Sequence, residues 1–213
     1  IVADFRQAAA NAMAAGFDGI EIHSSNGYLF HQFFSAQSNQ RTDAYGGSHE
    51  NRARLFCEVL DAIGEVMPLD RVGFRLNPML NRFHGLSVDA DTVPMWESIV
   101  RRANAYGLAF LHLTEPLHPK QIENTPGALA DVGAHFRSIA TMPIISNGGL
   151  DQAKGEARLA ANLCDAVAYG KAWIANPDLV ERIRRGAPLN EANAETFYQG
   201  GEQGYLDYPT LAA

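Results

Sequence analysis

Five short apolar runs recur along the chain, at residues 19–22, 72–76, 109–113, 143–145 and 165–169, with a helical stripe between successive runs. Runs this short, rich in Ile, Val and Leu, read as buried strands. Between them, apolar residues return at helical spacing. Residues 4–15 place Phe5, Ala9, Ala12 and Met13 on one stripe that stops at Gly16. Ser48 caps a helix whose face is Leu55, Phe56, Val59, Leu60, Ile63 and Met67, ending at Pro68. Asp91 or Thr92 caps the next, which carries Trp96, Ile99, Val100 and Ala103 and stops at Gly107. Further helices are expected over 128–139, from Asp151 to about 163, and from Asn176-Pro177, with proline at its favoured first position, to Gly186. Residues 29–36 read as a short helix or turn packed by Phe30, Phe33 and Phe34, and residues 38–47 and 114–127 as loops. Unbroken alternation of strand and helix predicts an α/β fold with a parallel sheet and helical crossovers. Five strands suffice for an open doubly wound sheet, whereas a closed barrel needs eight.

The bulk properties narrow the function. With 213 residues, 46% of them hydrophobic, the chain can bury the core of one large domain. A net charge of −7 without a basic stripe argues against nucleic acid and anionic membrane as partners, and the longest apolar runs fall short of a membrane span. Cys57 and Cys164 have no metal-ligand spacing and read as packed thiols of a reducing, cytoplasmic compartment. The chain begins at Ile1 without a signal peptide, which suggests a processed, trimmed or truncated protein.

Active sites of parallel α/β folds lie at the C-terminal ends of the strands. At the first such end, His23, Asn26 and Tyr28 can each hold or pass a proton, and their spacing keeps them within about 18 Å even if extended. Taken alone, the group reads as a capped strand end with a satisfied histidine. Arg75 sits in an apolar strand end, where a buried cation needs either a salt-bridge partner or an electron-rich ring. Gly148-Gly149 and Gly170-Lys171 follow the fourth and fifth strands and precede helices, so their amides can face an anion such as phosphate. His31, His84, His112, His118 and His135 are scattered and read as structural or surface residues, and Glu21 as a strand-face charge with a structural partner.

The segments His23-Ser-Ser-Asn26-Gly-Tyr28-Leu, Ser38-Asn-Gln-Arg-Thr-Asp-Ala-Tyr-Gly-Gly-Ser48 and Glu50-Asn-Arg-Ala-Arg54 together resemble the Old Yellow Enzyme family. So do Val72-Gly-Phe-Arg75-Leu, the run from Tyr169-Gly-Lys-Ala-Trp to Leu179, and Phe197-Tyr with Gly204-Tyr-Leu-Asp-Tyr-Pro209. The likeness is greatest to bacterial N-ethylmaleimide, nitrate-ester and enone reductases. It implies a TIM (β/α)8 barrel that binds FMN and is reduced by NADPH or NADH. Residues 1–213 would be a single partial FMN-binding barrel domain of about five βα units, strands 4–8, lacking strands 1–3. A complementary N-terminal segment or chain is then an expected partner.

By the same resemblance, His23 and Asn26 would donate hydrogen bonds to a substrate carbonyl or nitro oxygen, and Tyr28 would protonate the α-carbon. Arg75 would adjoin the flavin, Gly148, Gly149, Gly170 and Lys171 would hold its phosphate, and Tyr205 would line the pocket for an electrophilic alkene. The family has arginine where this chain has Lys171, so weaker FMN retention is expected from a point charge without a bidentate fork. The residues alone leave open a phosphate-binding lyase or isomerase, and a non-catalytic half-barrel.

Overall fold

The computed structural model describes residues 1–117, 119–198 and 201–211; His118 lies outside them. The chain forms two compact units. One comprises Ile1–Gly149 with Arg158–Val167, the other Leu150–Ala157 with Ala168–Ala213.

The first unit is built on a five-stranded parallel sheet: β1 (Ile20–His23), β2 (Val72–Leu76), β3 (Phe110–Thr114), β4 (Ile144–Asn147) and β5 (Ala166–Val167). Helices α1 (Val2–Ala14), α2 (Leu29–Phe34), α3 (His49–Gly64), α4 (Thr92–Ala103), α5 (Pro119–Ile122) and α6 (Val132–Arg137) fall before or between these strands. The chain continues through α7 (Gln152–Ala160), which precedes β5, and α8 (Lys171–Ala175) and α9 (Leu179–Arg185), which follow it. The strand order is β1-β2-β3-β4-β5, all parallel. An order that never reverses makes every crossover step in the same direction, which is how a barrel sheet is wound, not a doubly wound one.

Period-two alternation divides the sheet into two faces. Ile22, Val72, Phe74, Leu76, Leu111, Leu113 and Ile144 are buried on one. Phe74 meets Phe56 of α3 with ring centroids 5.4 Å apart, and Phe56 meets Phe30 and Phe34 of α2 edge-on. The opposite face carries Glu21, His23, Arg75, His112, Thr114 and Asn147. Gly73 belongs to this face because the Phe110 ring lies across it; a Cβ there would sit 2.2 Å from the ring. Glu21 finds its structural partner in His112, whose Nδ1 is 2.8 Å from its carboxylate.

Several boundaries differ from the sequence expectation, each for a local reason. β1 extends through His23 and β4 through Asn147, while β5 shortens to two residues. The helix expected over 128–139 starts only at Val132, because Asp131 caps it by accepting from the Ala134 N–H at 2.8 Å. Asp91 stands at the N-cap of α4 without capping it; its carboxylate is held by His49 at 2.6 Å and Arg52 at 2.7 Å. α7 stops at Ala160, short of the left-handed Asn162. Asn176-Pro177 does not open α9. Asn176 donates back to the Ala172 carbonyl at the end of α8, and Asp178 takes the N-cap position. Ser48 does cap α3, accepting from the Asn51 N–H, and α5 and α8 are short helices that the apolar pattern does not announce.

His31 of α2 is 6% exposed, packs edge-on to Trp96 and accepts the Gly27 N–H at Nδ1. Burial pushes its pKa from 6.5 down to about 4, so the fold holds it neutral. A lowered folded-state pKa gives stability that is complete above pH 6.5 and is lost as pH falls towards 4. The shift corresponds to about 3 kcal/mol. The urea midpoint is expected to fall across this window, and the His31→Asn variant to fall less steeply over the same pH titration.

Candidate active site

The C-terminal ends of β1 and β2 are bound together in register. His23 lies beside Arg75 on the neighbouring strand, about 4.8 Å away across the ladder. The pairing continues one residue further, where the Ser24 N–H donates to the Arg75 carbonyl at 3.1 Å. The chain then turns sharply: Asn26 adopts φ 56° and Gly27 φ 78°. This turn returns Tyr28 towards the strand end, and its ring stands edge-on to His23 with centroids 5.4 Å apart. Tyr28 is 59% exposed, high for an aromatic side chain packed on a buried turn. His84, from the loop after β2, approaches the other side of Tyr28 at 6.4 Å.

A cleft of about 360 Å³ opens beside this turn. Asn26, Tyr28, Asn77, Met79, Arg82 and Phe83 are among its lining residues. The cleft therefore combines apolar wall with a few convergent polar groups, the usual make-up of a small-molecule site. Asn77, two residues beyond Arg75 and buried, donates through Nδ2 to Asn26 Oδ1 at 2.8 Å.

The electrostatics favour a neutral imidazole. Burial lowers the His23 pKa, and the nearby Arg75 charge lowers it further; Glu21 and a hydrogen bond with the Ser25 backbone oppose them. His23 is thus suited to donate a hydrogen bond as a neutral group. Arg75 donates to Thr114 Oγ1 at 3.3 Å, and among the described residues it forms no salt bridge. Its Nε is buried without a hydrogen-bond partner among the described residues, as are His112 Nε2 and Asn147 Oδ1 on the same sheet face. An orphaned guanidinium N–H on the half-exposed face of a sheet fits a bound ring carrying acceptor atoms.

Gly148 and Gly149 close β4 in the same unit, at φ 106° and 64°. Gly148 lies against the backbone of Glu115, where a Cβ would stand 2.7 Å from the carbonyl oxygen, whereas Gly149 has nothing within 4 Å of that position. Glu115 is an element that sequence reasoning passed over inside the loop after β3. It is buried, accepts the Val132 and Gly133 N–H groups at 2.9 Å, and is paired with Arg158 at 2.6 Å. Burial raises the Glu115 pKa against these partners. Its only signal in the sequence is an acidic residue directly following an apolar strand end.

Gly170, Lys171 and Tyr205 belong to the second unit. Gly170 is the N-cap residue of α8, with open space around its Cα, and Lys171 is exposed. α8, which Gly170 opens, is only five residues long. The Tyr205 ring is 48% exposed, and its N–H donates to the Glu202 carbonyl. The structure thus brings His23, Asn26, Tyr28 and Arg75 together at one strand end, with Gly148 and Gly149 in the same unit. Among the described residues no cluster of His, Cys, Asp or Glu could hold a metal ion, and no helix is long and apolar enough to cross a membrane.

Residues 1–190 match the family model of the NADH:flavin oxidoreductase / NADH oxidase family. The chain is 40% identical over 215 residues to 12-oxophytodienoate reductase 2 of Arabidopsis thaliana, covering 99% of this chain and 56% of that protein. It is 41% identical over 213 residues to 12-oxophytodienoate reductase 1 of Oryza sativa subsp. japonica, covering 99% and 55%. The structure of morphinone reductase in complex with tetrahydroNAD superposes with a TM-score of 0.89 at 43% identity, covering 99% of this chain and 55% of that one. The chain therefore spans little more than half the length of the proteins it matches.

The Gly148 geometry sets a test of the β4 turn. The Gly148→Ala variant combines a left-handed backbone with a clash and is expected to lose about 1–3 kcal/mol in urea unfolding. Gly149→Ala, which meets no neighbour, should lose about 1 kcal/mol.

Proposed function

The chain belongs to the Old Yellow Enzyme family of NADH:flavin oxidoreductases, and from that membership we propose that it carries the substrate site of an FMN-dependent, NAD(P)H-driven ene-reductase. The substrates are electrophilic alkenes such as enones and maleimides, with nitro compounds and nitrate esters as a further class. The observation that carries the reading is the strand-end group itself. Two hydrogen-bond donors, His23 and Asn26, an exposed phenol, Tyr28, and the partly unsatisfied Arg75 stand at the paired ends of β1 and β2.

The roles follow from the chemistry of each side chain. His23 and Asn26 donate to the carbonyl or nitro oxygen of the substrate, where negative charge gathers as the alkene is reduced. Donors fixed before that charge develops lower the barrier most. His23 serves as a neutral donor, because its lowered pKa keeps it uncharged. Tyr28 delivers the proton to the α-carbon as general acid from its exposed position at the cleft. Within the first unit, Arg75 would adjoin the flavin ring with its unpartnered Nε, and Gly148 and Gly149 would hold the phosphate. When bound, FMN would supply the hydride chemistry, with a nicotinamide as the reductant.

A second element of the proposal concerns the sheet edges. β1 and β5 each pair on one side only among the described residues, and open edges of a barrel sheet call for pairing or cover. A complementary βα segment, in the same or another polypeptide, is the partner that would close them.

The test uses the FMN-loaded protein and p-nitrophenol, whose oxygen mimics the developing enolate. His23→Ala should weaken its binding at least tenfold, and unchanged binding sinks the assignment. Tyr28→Phe should leave that binding within about threefold while slowing enone reduction about 100-fold or more.

A further inference from the structure

We propose that Asn77 is a positioning residue that fixes which end of the Asn26 amide faces the substrate; this rests on the reading of Asn26 as a hydrogen-bond donor. A side-chain amide has two nearly isosteric ends of opposite hydrogen-bonding character. Presented one way it would stabilise a developing oxyanion; presented the other way it would repel one. Nothing in Asn26 itself chooses between them.

The choice comes from β2. Asn77 is only 4% exposed and lies two residues beyond Arg75, at the strand end that the Ser24–Arg75 hydrogen bond ties to the turn. Its Nδ2 donates to Asn26 Oδ1 at 2.8 Å. With the acceptor of Asn26 taken from the β2 side, the donors of its Nδ2 are left as the polar end for the cleft that both residues line. The backbone restricts Asn26 further. At φ 56° it stands in the left-handed region and leads directly into Gly27, also left-handed, so the turn offers the amide a fixed base. Holding a donor in place before charge develops is worth more than having one that must rotate into position. Asn77 reaches Asn26 through its side-chain amide, and it is through that bond that it acts on the donor.

The experiment is a double-mutant cycle in the FMN-loaded protein, read by p-nitrophenolate binding and by the absorption maximum of the bound phenolate, which reports hydrogen bonds to its oxygen. Asn77→Leu removes the donor while keeping the branched shape of the side chain, and adds no charge. It should raise Kd about tenfold and move the absorption band towards that of Asn26→Ala. The Asn26→Ala/Asn77→Leu double variant should bind within twofold of Asn26→Ala, because Asn77 has nothing left to orient. Should Asn77→Leu not retain its fold by thermal melting, Asn77→Ala completes the same cycle. The proposal is overturned if the Asn77 variant binds as the parent does while Asn26→Ala is weakened, or if the two losses add. If His23→Ala and Asn26→Ala both leave binding unchanged, the donor-pair reading fails in its own right.

Discussion

The site depends on the parallel register between β1 and β2. That register is specified by burial: Ile20 and Ile22 must face the helices together with Val72 and Phe74. A slip by one residue would turn each of these side chains to the other face of the sheet. Because side chains alternate, the constraint that buries Ile22 and Phe74 also sets His23 beside Arg75 on the opposite face. The polar group is thus positioned by hydrophobic packing one layer away. Phe56, itself fully buried, transmits that packing from α3 to β2.

A second layer of support is ionic. Arg158 bridges Glu115 and Asp131. Asp131 caps α6, and Glu115 accepts from that helix's first N–H groups. Its backbone pairs with Asn147 through the Glu115 N–H and packs against Gly148. Buried charge is costly unless paired and hydrogen-bonded, and here each carboxylate has both a cation and backbone donors. The network ties the end of β3 to the glycine turn after β4. In the second unit Arg182 acts similarly, holding Asp178 and the carbonyls of Pro188 and Pro209.

Much of this was legible from the residue order. The repeated apolar runs marked all five strands, and strand ends are where polar residues leave a buried layer, so His23, Asn26, Tyr28 and Arg75 could be singled out together. What escaped depends on competition between partners. Asp91 looks like a helix cap, but His49 and Arg52 claim its carboxylate from 42 and 39 residues away. Asn176-Pro177 looks like a helix start, but the Asn176 amide closes the preceding helix instead. Asn77 stands just past the apolar run 72–76, and its partner lies 51 residues upstream, beyond the reach of any local pattern. β5, with two residues, is too short for alternation to mark its limits. The winding of the sheet was not readable from element order alone, since five strands permit either arrangement; the unreversed strand sequence decides it.

The left-handed backbone of Asn26 restricts which side chain can stand there. Residues that tolerate that conformation are few, with glycine, asparagine, aspartate and histidine the chief ones. Glycine brings no side chain, and aspartate brings a carboxylate with no N–H to donate. The main-chain conformation therefore leaves asparagine and histidine as the tolerated residues that also carry a side-chain N–H. The shape of the turn thus limits which side chains can stand there and, with them, which hydrogen bonds the turn can offer.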